Sequence, residues 1–552
     1  MKRDPRALAE PLWDLVVVGG GIHGACVAWE AVLRGLTVCL VEKGDFGAAT
    51  SANTMKIVHG GLRYLQHADY RRMRESIRER RTLLRIAPHL VRPLPVVVPT
   101  HGHGWHGRQV LRAALLLNDL ASHDRNAGLA SGQHIPRGRT LSRRDCLRLV
   151  PGLASEVTGA ALFHDAQVRN SERLLLAFLR SAAKAGAELA NYVEVTALVA
   201  DDCRGLRVMV TDHLTGEPHQ LRARVVVNAA GPWAEQVLGR VGRPAHLGTP
   251  FAKAFNVVTR QLLPACAVAL RTRHGSRDPD TLVRRDERLL FVVPWREQSL
   301  VGTWYQHHGA GPDEVRITEA DVASLLQAVN DACPALALSL DDVRLVHTGL
   351  VPSAGTDAAT GAPRLAKRGA IVDHATDGMA GMFTIIGVKY TTARLTAERA
   401  VDRVLERLGR RGPPSTSALV PLHGAEPDTL AGGEIDETAV GHGCAVPGGG
   451  VARLRRTYGS AYGEVLAHLA PAEDPADPAA LLAAEVRHAI RDEMAHSLSD
   501  VVFRRTELGA AGRLEPQVLA AAAAEAGAEL GWSAARRRQE IGAVDARFGV
   551  SR

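Results

Sequence analysis

The sequence is poor in the residues that mark several common protein classes. Only seven of its 552 residues are cysteine: Cys26, Cys39, Cys146, Cys203, Cys266, Cys333 and Cys444. They are scattered, odd in number and form no C-x-x-C pair, so neither a disulfide framework nor a structural zinc site is expected. A reducing, cytoplasmic compartment and no bound metal follow as expectations. No apolar run reaches 18 residues, and Met1–Glu10 is short and polar, so neither a transmembrane helix nor a signal segment is read here. Aromatic residues make up only 4% of the chain, and no platform for stacking bases is visible. The net charge of +8 therefore does not argue for a nucleic-acid partner. It fits an anionic substrate or an anionic membrane surface.

What is present is the composition of a globular enzyme, 46% apolar and 23% charged. The length suggests about three to five folding units. No internal repeat is evident. Asp14–Val18 is a compact apolar run, a glycine cluster follows, and Ala25–Leu33 has helical apolar spacing with Gly35 at its end. Thr37–Val41 is a second apolar run, closed by Glu42. This is strand, tight turn, helix and strand, the opening of a parallel sheet.

The turn contains G-x-G-x-x-G at Gly19, Gly21 and Gly24. Alone the pattern is weak, but between a predicted strand and helix, with an acidic residue ending the next strand, it is a dinucleotide fingerprint. Gly19 permits the tight turn, Gly21 lets backbone approach a pyrophosphate, and Gly24 lets helix and strand pack closely. The helix N-terminus supplies amide donors and positive dipole. Glu42 is placed to accept hydrogen bonds from a ribose diol. Further on, the run 49–64 carries hydroxyls, then His59 and the pair Gly60-Gly61, suited to wrapping a phosphate chain and approaching a planar ring. Gly387-Val-Lys-Tyr-Thr-Thr392 opens a late helix whose N-terminus can stabilise a reduced flavin. Thr391 and Thr392 can equally be plain capping residues.

Two other segments stand out. A helix over Ala68–Ile86 holds seven Arg and two Glu between Tyr70 and Arg85, read as a solvated face with phosphate or acidic-lipid contact as the alternative. Trp105–Leu120 is amphipathic, either a surface helix packed on the core or one lying in a membrane interface. Helix is also expected at Arg173–Lys184 and Thr391–Arg407. Strands are expected at Tyr192–Ala200, Leu206–Thr211, Leu221–Asn228, Leu289–Val293 and Ser299–Thr303. Gly409–Gly450 is rich in Pro and Gly, and helical patterns follow it.

These motifs carry a resemblance. The chain is similar to the FAD-dependent glycerol-3-phosphate dehydrogenases, the flavoprotein kind, in VVVGGGIHGACVAWEAVLRGLTVCLVEKGDFGAATSANTMKIVHGGLRYL (16–65), VVNAAGPWA (226–234), FVVPW and SLVGT (291–303), TIIGVKYTTAR (384–394) and RDEMAHSLSDVVFRRTELG (491–509). HGGLRYL is the most specific. The resemblance implies a doubly wound, Rossmann-like FAD-binding α/β domain, an inserted antiparallel-sheet substrate domain and a helical C-terminal domain. The oxidoreductase region would span 12–410, with substrate parts at roughly 90–165 and 235–350; a linker would cover 411–450 and the helical domain 451–545. It implies FAD against Gly19, Gly21, Gly24, Glu42, Thr50, Ser51, His59, Gly60, Gly61, Gly231 and Thr391. It implies hydride transfer from C2 of sn-glycerol 3-phosphate to the flavin, giving dihydroxyacetone phosphate. Arg63, Tyr64, Arg368 and Lys389 would be the catalytic and substrate-holding residues. A guanidinium suits bidentate phosphate contact. A quinone acceptor, peripheral attachment to the inner face of the cell membrane and a homodimer are further family-level implications.

The pattern also departs from the family. G-V-R-P becomes Leu350-Val351-Pro352 after Gly349, so a phosphate-holding arginine is replaced by Val351. The histidine after Lys-Gly-Ser becomes Asn256, G-G-K becomes Gly387-Val388-Lys389, and an acidic residue is missing at Thr303-Trp304-Tyr305. Losing one charged phosphate contact costs about 1.5–3 kcal/mol, roughly tenfold to hundredfold in affinity. His347, four residues before Val351, is a candidate substitute. Another polyol phosphate or hydroxylated substrate is thus the alternative. An oxidase using dioxygen, an amine oxidation and a non-catalytic nucleic-acid-binding scaffold are weaker readings.

Overall fold

The computed structural model describes all residues except 63, 65–68, 102–107, 154–155, 202–204, 242–246, 273–287, 358–360, 427–448 and 549–552. The strands that position the site are β1 (Leu12–Val18), β2 (Val38–Val41), β3 (Pro218–Asn228), β4 (Phe251–Arg260), β5 (Gln298–His308), β6 (Val343–Thr356) and β7 (Met382–Ile386). The helices are α1 (Ile22–Leu33), α2 (Tyr70–Ile86), α3 (Arg108–Ala121), α4 (Ser171–Lys184), α5 (Ala393–Arg407) and α6 (Pro478–Arg491).

The fold is an α/β FAD-binding fold. Its first sheet runs Ala370–Asp373, β7, β3, β1, β2, Glu188–Ala190. From β7 to Glu188–Ala190 the pairs are parallel. A strand buried on both faces must be apolar throughout, and β1 is: Leu15 and Val17 face α1, α4 and α5, while Val16 and Val18 face the hairpin Val193–Asp201 and Gly205–Asp212. The second sheet is mostly antiparallel and carries β6, β4 and β5 side by side, followed by Arg288–Trp295, Ala267–Thr272, Val91–His101 and Val157–Val168. The helical segments after residue 449 form two apolar clusters of their own. Among the described residues no helix is long and apolar enough to cross a membrane.

Two expectations change here. The arginines of α2 do not form one solvated face: Arg71 and Arg78 are exposed, but others are held in ion pairs. Arg74 and Arg81 pair with Asp124, and buried Arg80 pairs with Asp165 at 2.7 Å. The stretch 411–450, expected as a linker, is described to 426, and that part is packed. Ser417 is buried and accepts from Arg394 at 2.9 Å, while Leu422 donates its backbone N–H to Ile86 at 2.8 Å. Residues 427–448 lie outside the described residues.

Candidate active site

The chain leaves β1 at Val18, turns through Gly19 at φ +108° and enters α1 at Ile22. A Cβ on Gly19 would lie 2.7 Å from the Ala229 carbonyl, and one on Gly24 would lie 1.8 Å from the Gly19 carbonyl. Only glycine lets helix, turn and β3 approach this closely. The α1 N-terminus then opens on a cavity of about 590 Å³, lined by Gly19 and Gly21. Ser51 Oγ accepts from the Ile22 N–H at 3.0 Å.

Glu42, at the end of β2, also lines the cavity. Burial raises its pKa, opposed by the N–H groups of Gly44 and Gly20, which donate to it at 2.9 and 2.6 Å. Its remaining lone pairs can accept from a diol. Thr50 Oγ1 clips the following loop to β6, donating to the Leu350 carbonyl at 3.1 Å and accepting from its N–H at 3.2 Å. His59, Gly231, Lys389 and Thr391 complete the predicted residues in the wall. The N-cap of α5, Thr392, makes no side-chain capping bond.

Lys389 stands with its ammonium 4.1 Å from the centroid of the buried Tyr64 ring. Burial pulls its pKa down to about 8, assisted by Arg72 and opposed by Glu75 and Asp69. Arg72 also lies against Tyr64, at 4.4 Å. Arg368 is not in the cavity wall. Its exposed side chain pairs with Asp69 at 3.2 Å, beside the N-cap of α2. Tyr64 likewise supports Lys389 from outside the wall. Gly24, Gly60 and Gly61 are not lining residues either. A Cβ on Gly60 would meet the Arg80 guanidinium at 2.3 Å and one on Gly61 the Tyr64 ring at 2.6 Å. Their bareness makes room for these two side chains. Arg63 lies outside the described residues.

The opposite wall is built on β4. Asn256 faces Gly302 on β5 and His347 on β6; Ala254 faces Tyr305 and Gly349; Ala252 faces Val351. Asn256, Thr303, Tyr305 and Val351 line the cavity. Asn256 Nδ2 donates to the Asn53 carbonyl at 3.3 Å, and its Oδ1 lies 3.2 Å from His347 Nδ1. That network places the proton of the neutral ring on Nδ1. His347 is buried, and burial followed by nearby Lys56 and Arg547 holds its pKa well below the usual range. It braces Asn256 and does not replace an arginine at Val351.

A cavity of this size, with two helix N-termini, an acidic diol acceptor and a glycine cradle that added Cβ atoms would fill, fits a dinucleotide. Known proteins decide which. Residues 14–403 match the model of FAD dependent oxidoreductases, and 415–537 match the C-terminal domain of alpha-glycerophosphate oxidase. A glycerol-3-phosphate dehydrogenase of Synechocystis sp. is 33% identical over 90% of this chain and 89% of its own length. The chain belongs to the FAD-dependent glycerol-3-phosphate dehydrogenase family. Its cofactor is FAD. The aerobic glycerol-3-phosphate dehydrogenase of Escherichia coli is 28% identical over 90% of this chain and 94% of its own. The fold matches that of the Bacillus halodurans glycerol-3-phosphate dehydrogenase complexed with FAD, with TM-score 0.74 and 24% identity over 98% and 95% of the two chains.

For a member of this family, His23, Lys43 and Asp45 are among the lining residues that went unread in the sequence. His23 is half-buried, and desolvation lowers its pKa to about 4. It packs where a Cβ on Gly387 would stand, 2.1 Å away. Its place inside the fingerprint was the available signal. Asp45 and Lys43, next to Glu42, carried none.

Proposed function

We propose that the chain oxidises sn-glycerol 3-phosphate at C2 to dihydroxyacetone phosphate. The observation that carries this reading is Lys389, a half-desolvated lysine in the wall of the FAD cavity beside the Asn256 wall. FAD, when bound, supplies the acceptor for the hydride. Gly19, Gly21, Glu42, Thr50, Ser51, His59, Gly231 and Thr391 would hold it. Lys389, neutral in part near its pKa of about 8, takes the hydroxyl proton. The fixed amide of Asn256 offers the substrate oxygen its unused donor and acceptor. Arg72 and Arg368, gathered around Asp69 next to Tyr64, supply positive charge for the phosphate. Arg63 is the remaining sequence candidate for that task.

A quinone would take the electrons onward, and α3 would bring the enzyme to the membrane. Leu115 of α3 is buried, but Leu116, Leu117 and Leu120 are 60%, 57% and 72% exposed. A second reading, a different polyol phosphate or hydroxylated substrate, is favoured by the neutral wall at Val351 and Asn256.

Anaerobic bleaching by sn-glycerol 3-phosphate tests the proposal. Rapid loss of the flavin band is expected. A protein that stays yellow with this compound and bleaches with another polyol would transfer the assignment to the second reading.

A further inference from the structure

Asp45 lines the FAD cavity three residues beyond Glu42 and is 3% exposed. A bare carboxylate in the wall of a site that receives a diphosphate would be unfavourable twice, by its own desolvation and by repulsion of the ligand. Here its acceptors are taken. Oδ1 accepts from Arg505 Nη2 at 2.6 Å and from Asn191 Nδ2 at 3.0 Å, and Oδ2 accepts from Arg505 Nη1 at 2.8 Å and Arg504 Nε at 2.5 Å. Burial would raise this carboxyl, but the two guanidinium groups hold it well below the usual range.

Both arginines lie in the helical turn Val501–Arg505, near the other end of the chain. They are themselves held. Arg505 Nε donates to the Glu493 carbonyl at 2.9 Å, and Arg504 pairs with buried Asp500, which also accepts from the Tyr192 hydroxyl at 2.8 Å. The loop bearing Asp45 is tied on its other side to the fingerprint. Gly20 donates to Glu42, Gly44 accepts from the Tyr192 N–H at 2.9 Å, and Gly47 donates to the Gly20 carbonyl at 3.1 Å. The Glu42–Gly47 loop is therefore suspended between the glycine turn and the C-terminal segment.

We propose that Arg504 and Arg505 are positioning residues of the cofactor site: acting through Asp45, they fix the Glu42–Gly47 loop and cancel its buried charge, so that FAD retention depends on the docked C-terminal segment. The inference rests on FAD as cofactor and not on which substrate is oxidised.

The test uses the full-length holoprotein and follows flavin release by recovery of flavin fluorescence after dilution, beside thermal unfolding by circular dichroism. Arg505→Met removes two of the three guanidinium hydrogen bonds to Asp45, leaving its charge half-compensated, and is expected to release flavin at least about tenfold faster. Adding Asp45→Asn removes the under-compensated charge and should restore part of the retention, a coupling that a double-mutant cycle isolates. Arg505→Lys keeps the charge without the fork and should fall between Arg505→Met and the parent. Glu507→Gln breaks a different C-terminal clamp, away from the cavity wall. It should lower the unfolding temperature while flavin release stays within about twofold. The proposal is overturned if Arg505→Met releases flavin no faster than Glu507→Gln, or if Asp45→Asn brings no relief. Should Arg505→Met fail to fold, parental release by Arg505→Lys would overturn it equally.

Discussion

Lys389 carries its charge over the face of Tyr64, 4.1 Å from the ring centroid, in the wall of the FAD cavity. The aromatic face favours the cation, yet burial and Arg72 outweigh it and leave the pKa at about 8. If the neutral amine is the base, flavin reduction accelerates as pH rises through about 8. Arg72→Gln removes a neighbour that disfavours the charged form, so the pKa moves up toward 10.5 and the limb shifts to higher pH. Lys389→Arg cannot deprotonate, so the limb should vanish and the rate fall by roughly a hundredfold or more. Anaerobic stopped-flow reduction across pH reads all three, and an unmoved limb in Arg72→Gln would sink this role.

The glycine turn separates two kinds of loss. Gly24→Ala places a methyl group 1.8 Å from the Gly19 carbonyl, so α1 must move and the fold should lose about 1–3 kcal/mol or more. Gly21→Asp meets only Ser51 Oγ, at 3.3 Å, but puts a carboxylate where the proposed site would receive the diphosphate. It should retain no flavin, and should unfold near the temperature of the parental apoprotein. Absorbance and melting curves together check the pair; a yellow Gly21→Asp protein would contradict the fingerprint.

What could be read ahead of the structure follows from the range of each signal. Strand, turn and helix periodicity are local, so β1, α1, β2 and the hairpin strands stand close to where the sequence puts them. The fingerprint is local too, and Gly19 and Gly21 do line the cavity, while Gly24 packs behind it. Asp45 and Arg505 meet across 460 residues, and neither has a local pattern announcing it. The same holds for Arg80 and Asp165, whose pairing makes Gly60 a space-giving residue and α2 an ion-paired helix. Proline and glycine after Gly409 suggested a linker because composition does not reveal that Leu422 finds the core beside Ile86.

Glu507 predicts an acid-sensitive joint. It accepts from Asn170 at 3.1 Å and pairs with Arg169 and Arg296 at 3.2 and 3.0 Å. Burial alone would raise its pKa, but the two arginines bring it down to about 2 from 4.5. A depressed carboxyl stabilises the folded state above the unfolded value, and that stability is lost as pH falls from about 4.5 toward 2. The shift corresponds to something on the order of 3 kcal/mol. Glu507→Gln should melt lower at neutral pH and show a shallower decline on acidification. Parallel acid curves for parent and variant would remove Glu507 as the cause.

The exposed leucines of α3 give a direct membrane test. Replacing Leu116, Leu117 and Leu120 by Gln leaves buried Leu115 in place, so the fold should be kept. Affinity for anionic lipid vesicles in co-sedimentation should fall at least about tenfold, as the loss of three partly inserted leucine side chains implies. Unchanged sedimentation would assign membrane contact to another surface.

Val351 offers the sharpest question about substrate. It stands in the cavity wall opposite Ala252 on β4, where no charge from β4, β5 or β6 faces it in register. If a phosphate rests against this wall without a cation, Val351→Arg supplies a bidentate donor worth about 1.5–3 kcal/mol. The KM for sn-glycerol 3-phosphate should then drop roughly tenfold to hundredfold with little change in kcat, because the phosphate is remote from the hydride. Glycerol, which lacks the phosphate, should gain nothing. A KM that rises for the phosphorylated compound would mean that the wall receives a neutral part of the substrate, and would favour a different hydroxylated substrate over glycerol 3-phosphate.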